Sequence, residues 1–319
     1  MSRSTETLTF ATQGGRHSFH AIAAGKLAAQ RAFDIDPKKH FGQVVKASRN
    51  HKPGLGIIAI STVAGTVEES AREIVGRRPS ALPSIVARVD IPVELGLIGS
   101  SQQTLEELGR TGIRCLGQKP AITQCEEFLH EHMPWVRRQY RGETTLAVEE
   151  ALAMNNPNYV AIGPAAAAEA MGGVLLASPV NPVGSITSFY ALQRDPREKI
   201  LPHDRMKTDY RTVISLAHPE GEGEIEKCWD MAKLTGVRIS RFIRFNVGDF
   251  TKHDPTTRRG GGLLEVAHDI YDEEVTEFCA RVHGIEARDG VRGPFDAVKL
   301  GGYRWYPEPD IDPYSLLTQ

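Results

Sequence analysis

The sequence predicts an α/β fold followed by a smaller unit of ferredoxin-like order, on three observations. Short apolar runs rich in β-branched residues alternate with helical spacing over the first 200 residues. Glycines and hydroxyl residues gather at the carboxyl ends of those runs, where ligands bind in open α/β sheets. After a charged, proline-containing stretch at 193–209, the pattern becomes strand, helix, strand, strand, helix, strand.

Leu8 to Ala11 reads as a strand, Thr12 to His17 as a turn, and Ser18 as the cap of a helix through Ala21, Ile22, Ala24 and Leu27. Free N–H groups at a helix start, with Gly14 and Gly15 permitting close backbone approach, suit a carboxylate, and Arg16 adds a charge. A plain tight turn is the competing reading. No GxGxxG or Walker pattern accompanies it, so a nucleotide is not expected.

A helix is expected at Phe41 to Ala47, a buried strand at Leu55 to Ile60 ending in Ser61-Thr62, and a helix at Val67 to Val75. Val93 to Ile98 reads as a strand, Thr104 to Leu108 as a short helix, and Ile113 to Leu116 as a strand. An amphipathic helix at Ala121 to His132 places Ile122, Cys125, Phe128 and Leu129 on one face, with Gln124 beside it. Gly142-Glu143-Thr144-Thr145 opens a helix through Ala153, and the strand Tyr159 to Ile162 precedes an Ala-rich helix, Ala165 to Ala170. The run Ile186 to Leu192 then carries Thr187, Ser188 and Phe189 into the core behind a Pro- and Gly-rich turn.

Beyond the linker, strands are expected at Tyr210 to Leu216, Val237 to Val247, Leu263 to Ala267 and Phe295 to Leu300, and helices at Glu224 to Leu234 and Glu273 to Val282. The loop 249–262 is read as a mobile hairpin connection.

At 319 residues the chain divides into two or three domains, and 40% hydrophobic with 24% charged residues fits a globular protein. A net charge of -2 without a basic stripe argues against nucleic acid, Arg137-Arg138 and Arg258-Arg259 being read as solvated loops. Cys115, Cys125, Cys228 and Cys279 lack CxxC spacing, so neither a zinc site nor a disulfide framework is expected. His130 and His132 lie two apart on a helix and point to different sides, against a metal site there. With no apolar leader and no membrane-length apolar run, the expectation is a cytoplasmic protein, with no metal and no membrane partner.

Landmarks spread along the chain resemble the bacterial prephenate dehydratase family. TQGGRHSFHAIA is similar to its glycine-turn start, GIIAISTVAGTV to its segment around Glu-Asn-Ser, and KPAITQCEEFL to its Gln-Cys helix. ETTLAVEEA resembles its Ser-Thr-Ala helix start, VAIGPAAAAEAMGG its Ala-rich helix, ITSFYAL its Thr-Arg-Phe strand, and VKLGGYRW its last strand. The resemblance implies a two-lobed, periplasmic-binding-protein-like (type II) dehydratase region over 1–200, with lobe 1 at about 1–90 plus 178–200 and lobe 2 at about 91–177. It further implies an ACT-type βαββαβ domain over 207–319, and a homodimer or homotetramer.

The family expels a ring hydroxyl and a carboxylate from prephenate without a cofactor, which requires a proton and firm positioning. By resemblance, Thr187 falls on the proton-donating threonine, and Gln124 and Thr145 on retained polar positions. Gly14, Gly15, Arg16, Ser61, Thr62, Thr144, Ser188 and Phe189 complete the expected site for a small carboxylate substrate. The chain departs from the family in that Ser188 replaces a carboxylate-holding arginine, Ile60 and Ser61 stand at the Glu-Asn pair, and Gly117 stands where a serine is expected. Arg16 is the candidate to replace the lost cation, with His17 or His20 as a proton source. In the C-terminal half, GEGEI (221–225) and FIRF (242–245) replace the family's phenylalanine-binding segments, against phenylalanine feedback. The function implied is a lyase acting on prephenate or a close cyclohexadienyl carboxylate in a specialised pathway. A prephenate decarboxylase and a non-catalytic ligand-binding protein are the alternatives.

Overall fold

The computed structural model describes residues 7–29, 31–50, 54–62, 65–74, 82–195, 201, 210–219, 224–247, 259–267, 272–283 and 296–304. Most of the 193–209 linker, 221–223 of GEGEI, Arg258 and most of the 249–262 loop lie outside these residues.

Lobe 1 is built on a sheet of β1 (Leu8–Gln13), β2 (Phe33–Lys38), β3 (Leu55–Thr62), β5 (Ser84–Pro92) and β11 (Ile186–Gln193), in the order β2-β1-β3-β11-β5, with β4 (Gly65–Thr66) paired to β3. β1 runs parallel to β2 and β3, whereas β11 is antiparallel to both β3 and β5. The helices α1 (Phe19–Ala28), α2 (Phe41–Asn50) and α3 (Glu68–Ile74) belong to this lobe. Ser18 caps α1 as its spacing predicts, its Oγ accepting from the Ala21 N–H at 3.2 Å.

Lobe 2 carries β6 (Leu95–Gly99), β7 (Arg114–Gln118), β8 (Arg137–Arg141), β9 (Tyr159–Pro164) and β10 (Val174–Ala177), in the order β10-β6-β9-β7-β8. Its helices are α4 (Leu105–Leu108), α5 (Lys119–Gln124), α6 (Glu126–His132) and α7 (Thr144–Ala153). The single helix expected over Ala121 to His132 is broken at Cys125, whose N–H turns back to the Ile122 carbonyl. The Ala-rich helix shrinks to one 3₁₀ turn at Ala165–Ala167, since alanine propensity alone does not nucleate so short a segment before Gly172 and Gly173.

The lobes are joined by two passes of chain, and Asn181 stitches them together. Its Oδ1 accepts from the Leu95 N–H at 2.7 Å and its Nδ2 donates to the Val93 carbonyl at 2.8 Å. Phe19 packs against the cores of both lobes.

The C-terminal domain runs β12 (Tyr210–Pro219), α8 (Glu224–Thr235), β13 (Ile239–Val247), β14 (Arg259–Val266), α9 (Glu273–His283) and β15 (Asp296–Arg304), and its antiparallel sheet has the ferredoxin-like order β13-β14-β12-β15. Alternation along the strands divides this sheet between two partners. Ile214, Phe242, Leu264 and Val266 pack with α8 and α9 around Phe278, while Val213, Ile243 and Leu263 join the core of lobe 1.

Polar groups pin that second contact. Glu265, 1% exposed, accepts from Arg88 Nη1 at 2.6 Å and from the Tyr190 hydroxyl. Arg88 also pairs with Asp90, its neighbour on the same strand face, at 2.8 Å. Glu265→Ala removes an acceptor that Arg88 and Tyr190 share at a buried position, and the expected loss is about 1–3 kcal/mol, the range for a lost buried hydrogen-bond partner. Urea unfolding followed by tryptophan fluorescence measures it, with Glu265→Gln expected to fall between the two.

Candidate functional site

Strand β11 sorts the expected site residues by face. Directly opposed residues share a face, and Thr187 lies opposite Thr62 of β3 and Ile91 of β5, whereas Ser188 lies opposite Ser61 and Asp90. A bulge between Ser188 and Phe189 skips Ile60 on β3. Thr187 and Phe189 face α1, the Phe189 ring meeting His20 edge-on at 5.0 Å.

Ser188 and Ser61 face the other way. Arg241 of β13 donates from Nη1 to Ser188 Oγ at 3.0 Å and from Nη2 to Ser61 Oγ at 2.5 Å, and Arg88 adds a bond to Ser188 at 3.3 Å. Both serines are therefore held in the contact with the C-terminal domain, on the side of the sheet away from Thr187. Where the family resemblance expects an arginine on β11, this chain has a serine that receives an arginine from another domain.

The glycine turn forms as expected. Gly14 has a φ of +87°, a conformation that favours glycine, and Ser18 Oγ donates to the Gly15 carbonyl at 2.8 Å. Arg16 is turned outward, its side chain 74% exposed and its Nη2 3.0 Å from Asp34 Oδ1. So exposed a pair is worth at most about 1 kcal/mol, leaving the guanidinium easily redirected.

Lobe 2 brings Thr144 and Thr145, both buried in the first turn of α7. Gln124 closes α5 and is partly exposed. A β-carbon on Gly117 would stand 2.8 Å from Ile122 Cγ1, so Ile122 fills the space that the expected serine would need. The His132 ring meets Phe128 at a tilt, with centroids 4.7 Å apart, while His130 is exposed. Among the described residues no three His, Cys, Asp or Glu side chains gather as a metal site.

One residue that the sequence reading placed at a helix start, but not in the site, stands against Gly14 of the turn. Glu143, just before α7, presents Oε2 to Gly14 so closely that a β-carbon there would be 2.7 Å away. Its Oε1 accepts from Thr145 Oγ1 at 3.1 Å, and its side chain does not cap α7. Burial, aided by the charge of Glu149, pushes the carboxyl up, with the Thr145 bond opposing. The usable signal was an acidic residue at a predicted helix start, a position where carboxylates ordinarily serve as caps.

His20 is partly exposed as a residue, but its Nε2 is enclosed and has no hydrogen-bond partner among the described residues. Burial pushes its imidazole down to about 3, so it is neutral at pH 7 and supplies no proton there. Buried Cys115 and Cys125 are likewise pushed up to about 12 by burial and stay as thiols. Because His20 titrates lower when folded than unfolded, its contribution to stability is present above the unfolded value and lost as pH falls below it. Acidification from pH 6.5 to 5 is expected to cost about 2 kcal/mol through this residue. Denaturation of wild type and His20→Leu at both pH values measures this, the variant losing correspondingly less.

Comparison with known proteins places this arrangement. A prephenate dehydratase family profile matches residues 10–197, which span both lobes and end just beyond β11. The chain belongs to the prephenate dehydratase family. Among solved structures, the prephenate dehydratase of Arthrobacter aurescens in complex with L-Phe is similar with a TM-score of 0.69 at 19% identity, over 93% of this chain and 90% of that one. The enzyme of Staphylococcus aureus subsp. aureus Mu50 follows at 0.61 and 13%, over 93% and 100%. GqqA, described as a novel type of quorum quenching acylase, gives 0.66 at 19%, over 94% and 98%. At these identities the likeness is one of fold. No curated protein sequence matches. Among the described residues no helix is long and apolar enough to cross a membrane.

Proposed function

We propose that the chain is a lyase of the prephenate dehydratase type, acting on prephenate or a close cyclohexadienyl carboxylate. The family match over 10–197 carries the reading. The placement of Thr187 supports it, since its hydroxyl shares with Thr62 the face of lobe 1 that looks toward α1, beside the Phe189–His20 contact.

The reaction asks little of the protein. The ring hydroxyl leaves as water on taking a proton, the ring carboxylate leaves as carbon dioxide, and the electron pair of the broken C–C bond completes the aromatic ring. Thr187 hydrogen-bonds the departing hydroxyl and passes it the proton. The glycine turn receives a substrate carboxylate on its free N–H groups. Arg16 swings from Asp34 to meet it and replaces the cation that Ser188 does not supply. The C-terminal domain serves as an association or effector-binding unit of an otherwise cofactor-free enzyme.

Incubation of the purified protein with prephenate, followed by enolate absorbance and mass spectrometry, tests the reading. Phenylpyruvate is the expected product. Loss of carbon dioxide with the hydroxyl retained would make the enzyme a decarboxylase, and unchanged prephenate would overturn the lyase. Thr187→Ala is expected to lower kcat by about 10²–10⁴-fold, the range for loss of a positioned proton donor. Arg16→Gln is expected to raise KM about tenfold or more with a smaller effect on kcat, from the loss of one charge-assisted hydrogen bond. An unchanged KM removes Arg16 from the site.

A further inference from the structure

A threonine hydroxyl is not an acid at neutral pH, so a reaction that consumes one proton per turnover needs a titratable group to supply it. The imidazole of His20 is neutral and enclosed, and so is not that group. Across the lobes, Glu143 faces the glycine turn that suits a carboxylate, its Oε2 against Gly14 and its Oε1 on Thr145.

The charges around Glu143 do not neutralise it. Glu149 on its own helix is a like charge. Arg141, two residues before it at the end of β8, is committed to Glu150. From lobe 1, Ser18 stands beside Gly14, and Arg16 is paired with Asp34. Among the described residues no cation pairs with Glu143. An ionised Glu143 would therefore oppose any carboxylate entering the turn.

We propose that Glu143 is a catalytic and specificity-determining residue that takes up a proton when an anionic substrate enters the turn and gives it up to the departing hydroxyl. The inference rests on the lyase reading and deepens it. Prephenate dianion and one proton become phenylpyruvate, water and carbon dioxide, so the proton that admits the substrate is the one the elimination consumes. Glu143 leaves the cycle ionised, and the next substrate brings in the next proton. Burial of the carboxyl, which pushes its titration up, makes this uptake easier.

Isothermal titration of phenylpyruvate, a product that is not turned over, into the full-length protein at pH 7.5 in phosphate and in Tris counts the protons taken up on binding. The wild type is expected to take up a substantial fraction of one proton. Glu143→Gln is expected to take up none and to bind more tightly at pH 8 than the wild type, while Glu143→Asp retains uptake. With prephenate, Glu143→Gln is expected to lose turnover at least a hundredfold while still binding, and Glu143→Asp to recover part of it. Zero uptake by the wild type, or equal uptake by Glu143→Gln, overturns the assignment even where the wild type makes phenylpyruvate. A wild type that neither binds phenylpyruvate nor alters prephenate sinks the lyase reading, and the role of Glu143 with it.

Discussion

Glu265 is a buried carboxylate on the sheet face that meets lobe 1, and the relation between β11 and the C-terminal domain depends on it. Val213, Ile243 and Leu263 press on lobe 1 through contacts that have no preferred direction. Glu265 does have one, because Arg88 on β5 and Tyr190 on β11 must both reach it. Removing two charges from water offsets much of their attraction, so the pair adds register more than net stability. Arg241, bonding Ser61 and Ser188 on adjacent strands, fixes a second point and thereby the rotation.

This contact changes what a polar residue on β11 means. A strand covered on one side would show polar residues only toward solvent or ligand, but β11 is buried along nearly its whole length on both sides. Thr187 and Ser188 are therefore both enclosed, by different partners. The C-terminal domain reaches the reverse side of the strand that carries Thr187, and any shift of Arg241 acts on the backbone positions flanking it. On the other side, Glu143 and Gly14 bring the lobes together, while Asn181 holds the two connecting passes in place.

Central elements were legible in the sequence and edges were not. β1, β3, β7, β9 and β11 are apolar enough to declare themselves. The lobe strands missed were the two-residue β4 and, closing the ends of the two lobe sheets, β2, β5, β8 and β10. Two of them, FDIDPK of β2 and RRQYR of β8, are edges kept polar against further pairing, which hides them from a search for apolar runs. The site was legible as a set of segments but not as a set of directions. Period-two geometry alone separates Thr187 from Ser188, yet telling which face is left uncovered by the C-terminal domain required the position of Arg241. Glu143 was hidden because its importance lies in Gly14, a residue far away in the chain.

The position of β11 also bears on the order in which the molecule can be made. It lies between β3 and β5, yet the chain forms it only after the whole of lobe 2. As the polypeptide leaves the ribosome, lobe 2 has all its strands while lobe 1 still lacks the strand that joins β5 to β3, leaving both with unpaired backbone. Closing that gap requires long-range contacts, which makes it the slow step of assembly. The strand that carries the proposed proton donor is thus also the keystone of its lobe, and a nascent chain lacking it would be exposed to aggregation until residue 193 has emerged.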